Sequence, residues 1–193
     1  QYGSFWLWQI RSTTSEIESV YASLYSVISN CNFFLEKVGQ VEANTFNDSQ
    51  LTSLGYYKGE VYTLRALAYS ELIKLFCEAY DPATAKQTMG VVLRKGYSKT
   101  EAAERASLYD SYQFVLADLA KAEELLDSDY DQYSSDYATK AMAEALHARV
   151  ALYMQDWETA IEYSTRLIEN RAFALSSASE AYTGGQTFFQ YMW

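Results

Sequence analysis

Gly59-Glu60-Val61-Tyr62-Thr63-Leu64-Arg65-Ala66-Leu67-Ala68-Tyr69-Ser70-Glu71-Leu72-Ile73-Lys74-Leu75-Phe76 decides how this chain is read. Good helix formers dominate the stretch, and its apolar residues return every three or four positions, the period of one helix face. Extended in both directions, the pattern predicts a helix over residues 50–80, with Leu54, Val61, Leu64, Leu67, Ala68, Leu72, Leu75 and Phe76 available to a core. Asp81-Pro82 stops it, because the residue before proline is pushed out of the α region. Gly55 and Gly59 each cost up to about 1 kcal/mol relative to Ala inside a helix, and a close helix crossing is the expected reason for both. Glu60 and Arg65, on the same helix, are expected to join a polar network with neighbouring helices.

Working outward, Ser15-Glu16-Ile17-Glu18 reads as a capping box that opens a helix over residues 13–39. Ile17, Val20, Leu24, Val27, Cys31, Phe34 and Val38 paint one face of it up to Gly39, while Asn30 and Asn32 lower its helix propensity. Downstream, residues 81–106 show no strong period and are expected to be a loop, of a length that in compact domains is functional or disordered. Ser107-Leu108-Tyr109-Asp110 is another capping-box-like start and opens a helix over 107–127, with Leu108, Tyr112, Val115, Leu119, Ala122 and Leu126 on one face. Residues 138–170 read as a helical hairpin around a tight Met154-Gln155-Asp156 turn. Ala148, Trp157 and Ala160 alternate there as small and aromatic residues do in a tetratricopeptide repeat, so Trp157 is expected to pack into a following repeat. Residues 171–193 form an irregular tail. The expectation is one all-α domain spanning residues 1–193, built of tetratricopeptide-like helical hairpins with long loops.

With 193 residues the chain can bury about 70% of its unfolded surface, enough for one ordinary core. A net charge of -10 repels phosphate backbones and anionic head groups, which argues against nucleic acid as a partner. The single histidine, His147, and the widely spaced Cys31 and Cys77 supply no ligand set for zinc, and no cofactor motif occurs. No run approaches the ~20 apolar residues of a transmembrane helix. The chain begins at Gln1 and ends in the apolar Met192-Trp193, which suggests a processed or truncated product.

Catalytic signatures are missing as well. Glu123-Glu124 and Asp127-x-Asp129-x-Asp131 read as a solvated helix end and loop, without the facing carboxylates of glycoside hydrolysis or the Gly and terminal Glu of a calcium loop. Asn47-Asp48-Ser49 matches a glycosylation triplet that is common by chance. Tyr outnumbers Phe by 18 to nine, and such amphipathic rings suit sugar platforms and helix seams alike. The segment ahead of the first helix is the sharper candidate. Trp6, Trp8 and Arg11 combine rings that stack on pyranose faces with a donor for their hydroxyls, although a hydrophobic lid on the helical core would use the same residues.

Five blocks in a fixed order then resemble the SusD/RagB family of nutrient-binding outer-membrane lipoproteins from Bacteroides-type bacteria. The helix carrying Asn30, Asn32, Phe34 and Leu35 is similar to the family's early helix, and Gly59-Glu60 through Leu64-Arg65-Ala66 and Tyr69 to its central block. Gly90-Val91-Val92-Leu93 resembles a family loop, Tyr112 to Leu126 a following helix, and Ala141 to Ile168 with Trp157 the hairpin. Val92 stands where the family carries Pro, and Cys77 follows Leu75-Phe76 where Gly is usual. The resemblance implies a SusD-like α-α superhelix, here its N-terminal part, that binds oligosaccharide or polysaccharide without catalysis. It also implies delivery to a SusC-like TonB-dependent outer-membrane transporter, from the extracellular face of the outer membrane. The full-length protein would be lipid-anchored through a cysteine that this chain lacks. By the same resemblance Gly59, Glu60, Arg65, Tyr69 and Trp157 are structural, whereas Trp6, Trp8 and Arg11 fall where ligand contacts are made. The alternative is a tetratricopeptide-like protein-interaction scaffold that touches no nutrient.

Overall fold

Helix-forming runs separated by polar connections fold as their periodicity demands, into an all-α stack. A computed structural model describes residues 7, 11, 14–44, 47–97, 104–131 and 135–170. The helices are α1 (Ser15–Glu42), α2 (Asp48–Phe76), α3 (Leu108–Leu125), α4 (Lys140–Tyr153) and α5 (Trp157–Glu169). Sequential neighbours pack, α1 on α2, α2 on α3, α3 on α4 and α4 on α5. The core lies where α2 and α3 meet, with Ile28, Tyr69, Leu72, Ile73, Leu108, Val115, Leu119 and Val150 fully buried. Edge-to-face pairs Tyr69–Phe114 and Tyr80–Tyr112, each with centroids 5.2 Å apart, add directional contacts to that burial.

Helix ends follow local chemistry. Ser107 Oγ accepts from the Asp110 amide at 3.0 Å and donates to Asp110 Oδ2 at 2.7 Å, so the expected cap of α3 forms. The capping box expected at Ser15 does not. Thr14 is the N-cap of α1, its hydroxyl accepts from the Arg11 amide at 3.0 Å instead of a helix amide, and Ser15 turns to Glu16. Asn47 caps α2 by accepting from the Ser49 amide, which engages the glycosylation triplet locally. α2 ends at Phe76, ahead of the expected stop at Asp81-Pro82.

Two readings of the helix faces change. On α1 the buried residues are Ile28, Cys31, Asn32 and Val38, while Val20 and Val27 are 44% and 42% exposed. The face is rotated because polar Tyr25 and Asn32, which apolar periodicity passes over, have partners inside the molecule. On α2, Thr63, Arg65, Ala66, Tyr69 and Ile73 are buried, and Leu64 and Leu75 are exposed.

The stretch expected to be loop over residues 81–106 holds two strands, β1 (Met89–Val92) and β2 (Arg105–Ser107), paired antiparallel with Met89 opposite Ser107 and Val92 opposite Arg105. One extra residue on β1 makes a bulge. Gly90 belongs here because a Cβ would collide with Ser111 Oγ and the Ser107 carbonyl. Strands of three and four residues are too short for an alternating pattern to announce them.

The hairpin of α4 and α5 turns at Gln155, a left-handed residue with φ 61°, held by its side-chain donation to the Tyr80 carbonyl at 2.8 Å. Ala160 is buried at the crossing. Trp157, expected to pack into a following repeat, is 58% exposed on the outer face of α5.

Candidate functional site

Arg65 is the hub of the polar interior. Its Nε and Nη2 donate to the two Asp118 oxygens, both at 2.7 Å, and its Nη1 donates to Asn32 Oδ1 at 2.6 Å. Three helices are thereby joined at one guanidinium, which also lies over the Tyr62 and Phe114 rings at 5.5 and 5.1 Å. Burial works against the charge on Arg65, but the hydrogen bonds and charge of Asp118 outweigh it and hold the guanidinium above its usual value. Burial likewise pushes the Asp118 carboxyl up, against the pull of Arg65.

The second amide function of Asn32 carries this network to the surface. Its Nδ2 donates to the carbonyls of Arg94 at 2.9 Å and Gly96 at 3.3 Å. Tyr69 Oη accepts from the Arg94 amide at 2.7 Å and donates to its carbonyl at 3.2 Å, and Tyr25 Oη does the same for Val92 at 3.1 and 2.9 Å. Burial pushes the Tyr69 phenol up to about 12 and that of Tyr25 higher still, so both stay protonated donors. The chain after β1 is thus clamped backbone group by backbone group.

Between α1 and this clamped segment opens a cleft of about 350 Å³, lined by Tyr21, Tyr25, Ser29, Asn32, Arg94 and Gly96 among others. Its size falls in the range of small-molecule sites. Tyr21 packs its ring on Tyr25 at 4.8 Å and edge-on to Phe76 at 5.1 Å, which leaves an aromatic wall. The hydroxyl of Tyr25 and the amide of Asn32 are spent on internal bonds, while Tyr21, Ser29 and Arg94 add further polar groups to the lining.

The sequence candidates are distributed rather than gathered. Trp6 and Trp8 lie outside the described residues. Arg11 is exposed ahead of α1, and its carbonyl accepts from the Thr14 amide at 2.9 Å to form the turn into the helix. Gly59 sits where a Cβ would stand 2.7 Å from Leu126 Cγ, the close crossing expected of it; at Gly55 a Cβ would meet nothing within 4 Å. Arg65 and Tyr69 belong to the network. Glu60 does not: it faces a separate, smaller cleft with Tyr56 and Leu126. Asp118, unremarked as a site residue, carried one signal, a charged side chain on the α3 face that also bears Val115, Leu119 and Ala122.

His147 bridges helices. Its Nδ1 lies 2.8 Å from Glu123 Oε1, Tyr163 Oη donates to Glu123 Oε2 at 3.0 Å, and the His147 and Tyr163 rings stack at 3.9 Å. Cys31 and Cys77 are free thiols. Among the described residues no group of three His, Cys, Asp or Glu could hold a metal ion, and no helix is long and apolar enough to cross a membrane.

Comparison with known proteins turns this geometry into a kinship. A SusD-like family model, described as starch-binding and associating with the outer membrane, matches residues 4–152. A SusD superfamily protein from Bacteroides thetaiotaomicron is similar with a TM-score of 0.70 and 25% identity, over 83% of this chain and 34% of that one. A SusD-like protein from Bacteroides fragilis is similar with a TM-score of 0.63 and 28% identity, over 80% of this chain and 27% of the other. A laminarin-binding SusD-like protein shares the fold at 20% identity, with a TM-score of 0.61 over 78% of this chain and 30% of its own length. The chain therefore spans about a third of the solved structures it matches. No curated protein matches it. With the family model covering most of its residues, the chain belongs to the SusD/RagB family of SusD-like proteins.

Proposed function

We propose that this chain is one helical domain, residues 1–193, of a non-enzymatic glycan-capture protein. It holds oligosaccharide at the extracellular face of the outer membrane and hands it to a SusC-like TonB-dependent transporter, with a lipid anchor in the full-length protein. The observation that carries the reading is the starch-binding, outer-membrane-associated family model matched over residues 4–152. Binding of laminarin by a protein of the same fold supports it. The proposed ligand contacts are Trp6, Trp8 and Arg11. Arg11 supports this by its exposure ahead of α1, and Trp6 and Trp8 stand close to it in the sequence, a combination of residue types suited to a sugar ring. Calorimetric titration against starch- and laminarin-derived oligosaccharides tests the reading, and Trp6→Ala and Trp8→Ala test the site.

One observation favours a second reading, a tetratricopeptide-like interaction scaffold. The outer face of α5 leaves Trp157, Ile161 and Ile168 58%, 66% and 56% exposed, an apolar stripe suited to another protein surface. Binding of the transporter together with silence toward every saccharide would favour that reading.

A further inference from the structure

Glu60 stands five residues before Arg65, on another face of α2, and takes no part in its network. No described residue forms a hydrogen bond or ion pair with its carboxylate, and burial raises its carboxyl above the usual value. Among the described residues no fully buried side-chain polar atom lacks a partner, so the unpaired Glu60 oxygens are open to solvent and to whatever enters beside them. It opens into a cleft of about 140 Å³ between α2 and the start of α4, which Asp127, Tyr137 and Lys140 also line. Asp127 commits one oxygen to the Asp129 amide, and Ser135 and Thr139 are occupied by the Tyr137 backbone and the Met142 amide. The charged groups on this lining are the carboxylates of Glu60 and Asp127 and the ammonium of Lys140, beside the ring of Tyr137, which is 72% exposed.

Resting on the glycan-binding reading above, we propose that this cleft is a second saccharide contact, built for a single neutral sugar ring. A hydroxylated ring meets each demand at once. Its O–H groups donate to the two carboxylates, its oxygens accept from Lys140, and its C–H face covers Tyr137. Two acids against one base disfavour an anionic ligand, and a volume well below the ~300 Å³ of sites for larger molecules fits one ring rather than a chain. Glu60 thus belongs to a surface that recognises ligand, not to the scaffold that its place in the central helix suggests.

The test is calorimetric titration of the protein with malto- and laminari-oligosaccharides, comparing wild type with Glu60→Gln, Tyr137→Ala and Trp8→Ala. Glu60→Gln keeps the shape and removes the charge-assisted bonds, so a rise in Kd of roughly tenfold is expected, with circular dichroism unchanged. Tyr137→Ala, outside the helices, is expected to act in the same direction. Wild-type affinity in both variants, with binding lost only in Trp8→Ala, overturns the cleft and leaves the glycan-binding reading standing. Wild-type protein that binds no saccharide overturns both.

Discussion

Arg65 and Asp118 are buried to 6% and 2% exposure, so each depends on the other for its solvation. Arg65→Met removes the donor and strands the Asp118 carboxylate, and an uncompensated buried charge costs about 3–5 kcal/mol. Urea unfolding is expected to register that loss, whereas exchanging both partners for apolar residues of similar volume costs less. Glu60 behaves in the opposite sense. Its folded-state carboxyl is raised by burial, so the native protein holds this proton more tightly than the unfolded chain. That stabilisation is complete below the unfolded pKa and is lost as pH rises through the folded one. At neutral pH the ionised group is therefore a cost, and Glu60→Gln is expected to melt higher than wild type. Thermal scans should show the gain shrinking as the buffer is taken below the carboxylate range.

Among the elements, the central crossing separates two glycines that look alike in sequence. Gly59→Ala places a methyl 2.7 Å from Leu126 Cγ and 3.3 Å from Leu125 Cβ, and overpacking of this kind costs about 1–3 kcal/mol. Gly55→Ala meets open space and is expected to stabilise α2 by up to about 1 kcal/mol, read as a shift of the denaturation midpoint in the opposite direction. What the sequence made legible follows the same division. On α3, Leu108, Tyr112, Val115, Leu119, Ala122 and Leu126 are all buried, because one apolar stripe and a Ser107 cap agree. On α1 the apolar stripe misled, since Asn32 is held inward by Arg65 and Arg94 and Tyr25 by Val92, all distant in sequence. No local pattern contains such a partner. The strands β1 and β2 stayed hidden for a related reason: Gly90 and Val91 are fixed by Ser107 and Ser111, not by alternation among themselves.

At the scale of the whole molecule, the packed helices, the clamped segment after β1 and the family match describe one SusD-like helical scaffold. The scaffold was readable because marker residues such as Gly59, Arg65 and Tyr69 are tied to a specific crossing and a specific network. The candidate site was readable only as chemistry, indoles beside a guanidinium, because ligand geometry is set by how separate segments meet in space. Arg11 is found exposed, Trp6 and Trp8 lie outside the described residues, and Glu60 shows that a residue inside the identifying motif can face a cleft instead of the core. The central claim is glycan capture without catalysis. Isothermal titration of the protein against starch- and laminarin-derived oligosaccharides measures it most directly. The account predicts saturable binding of unaltered oligosaccharide that Trp6→Ala and Trp8→Ala each weaken; no heat of binding across the panel, or cleavage of the titrated glycan, would contradict it.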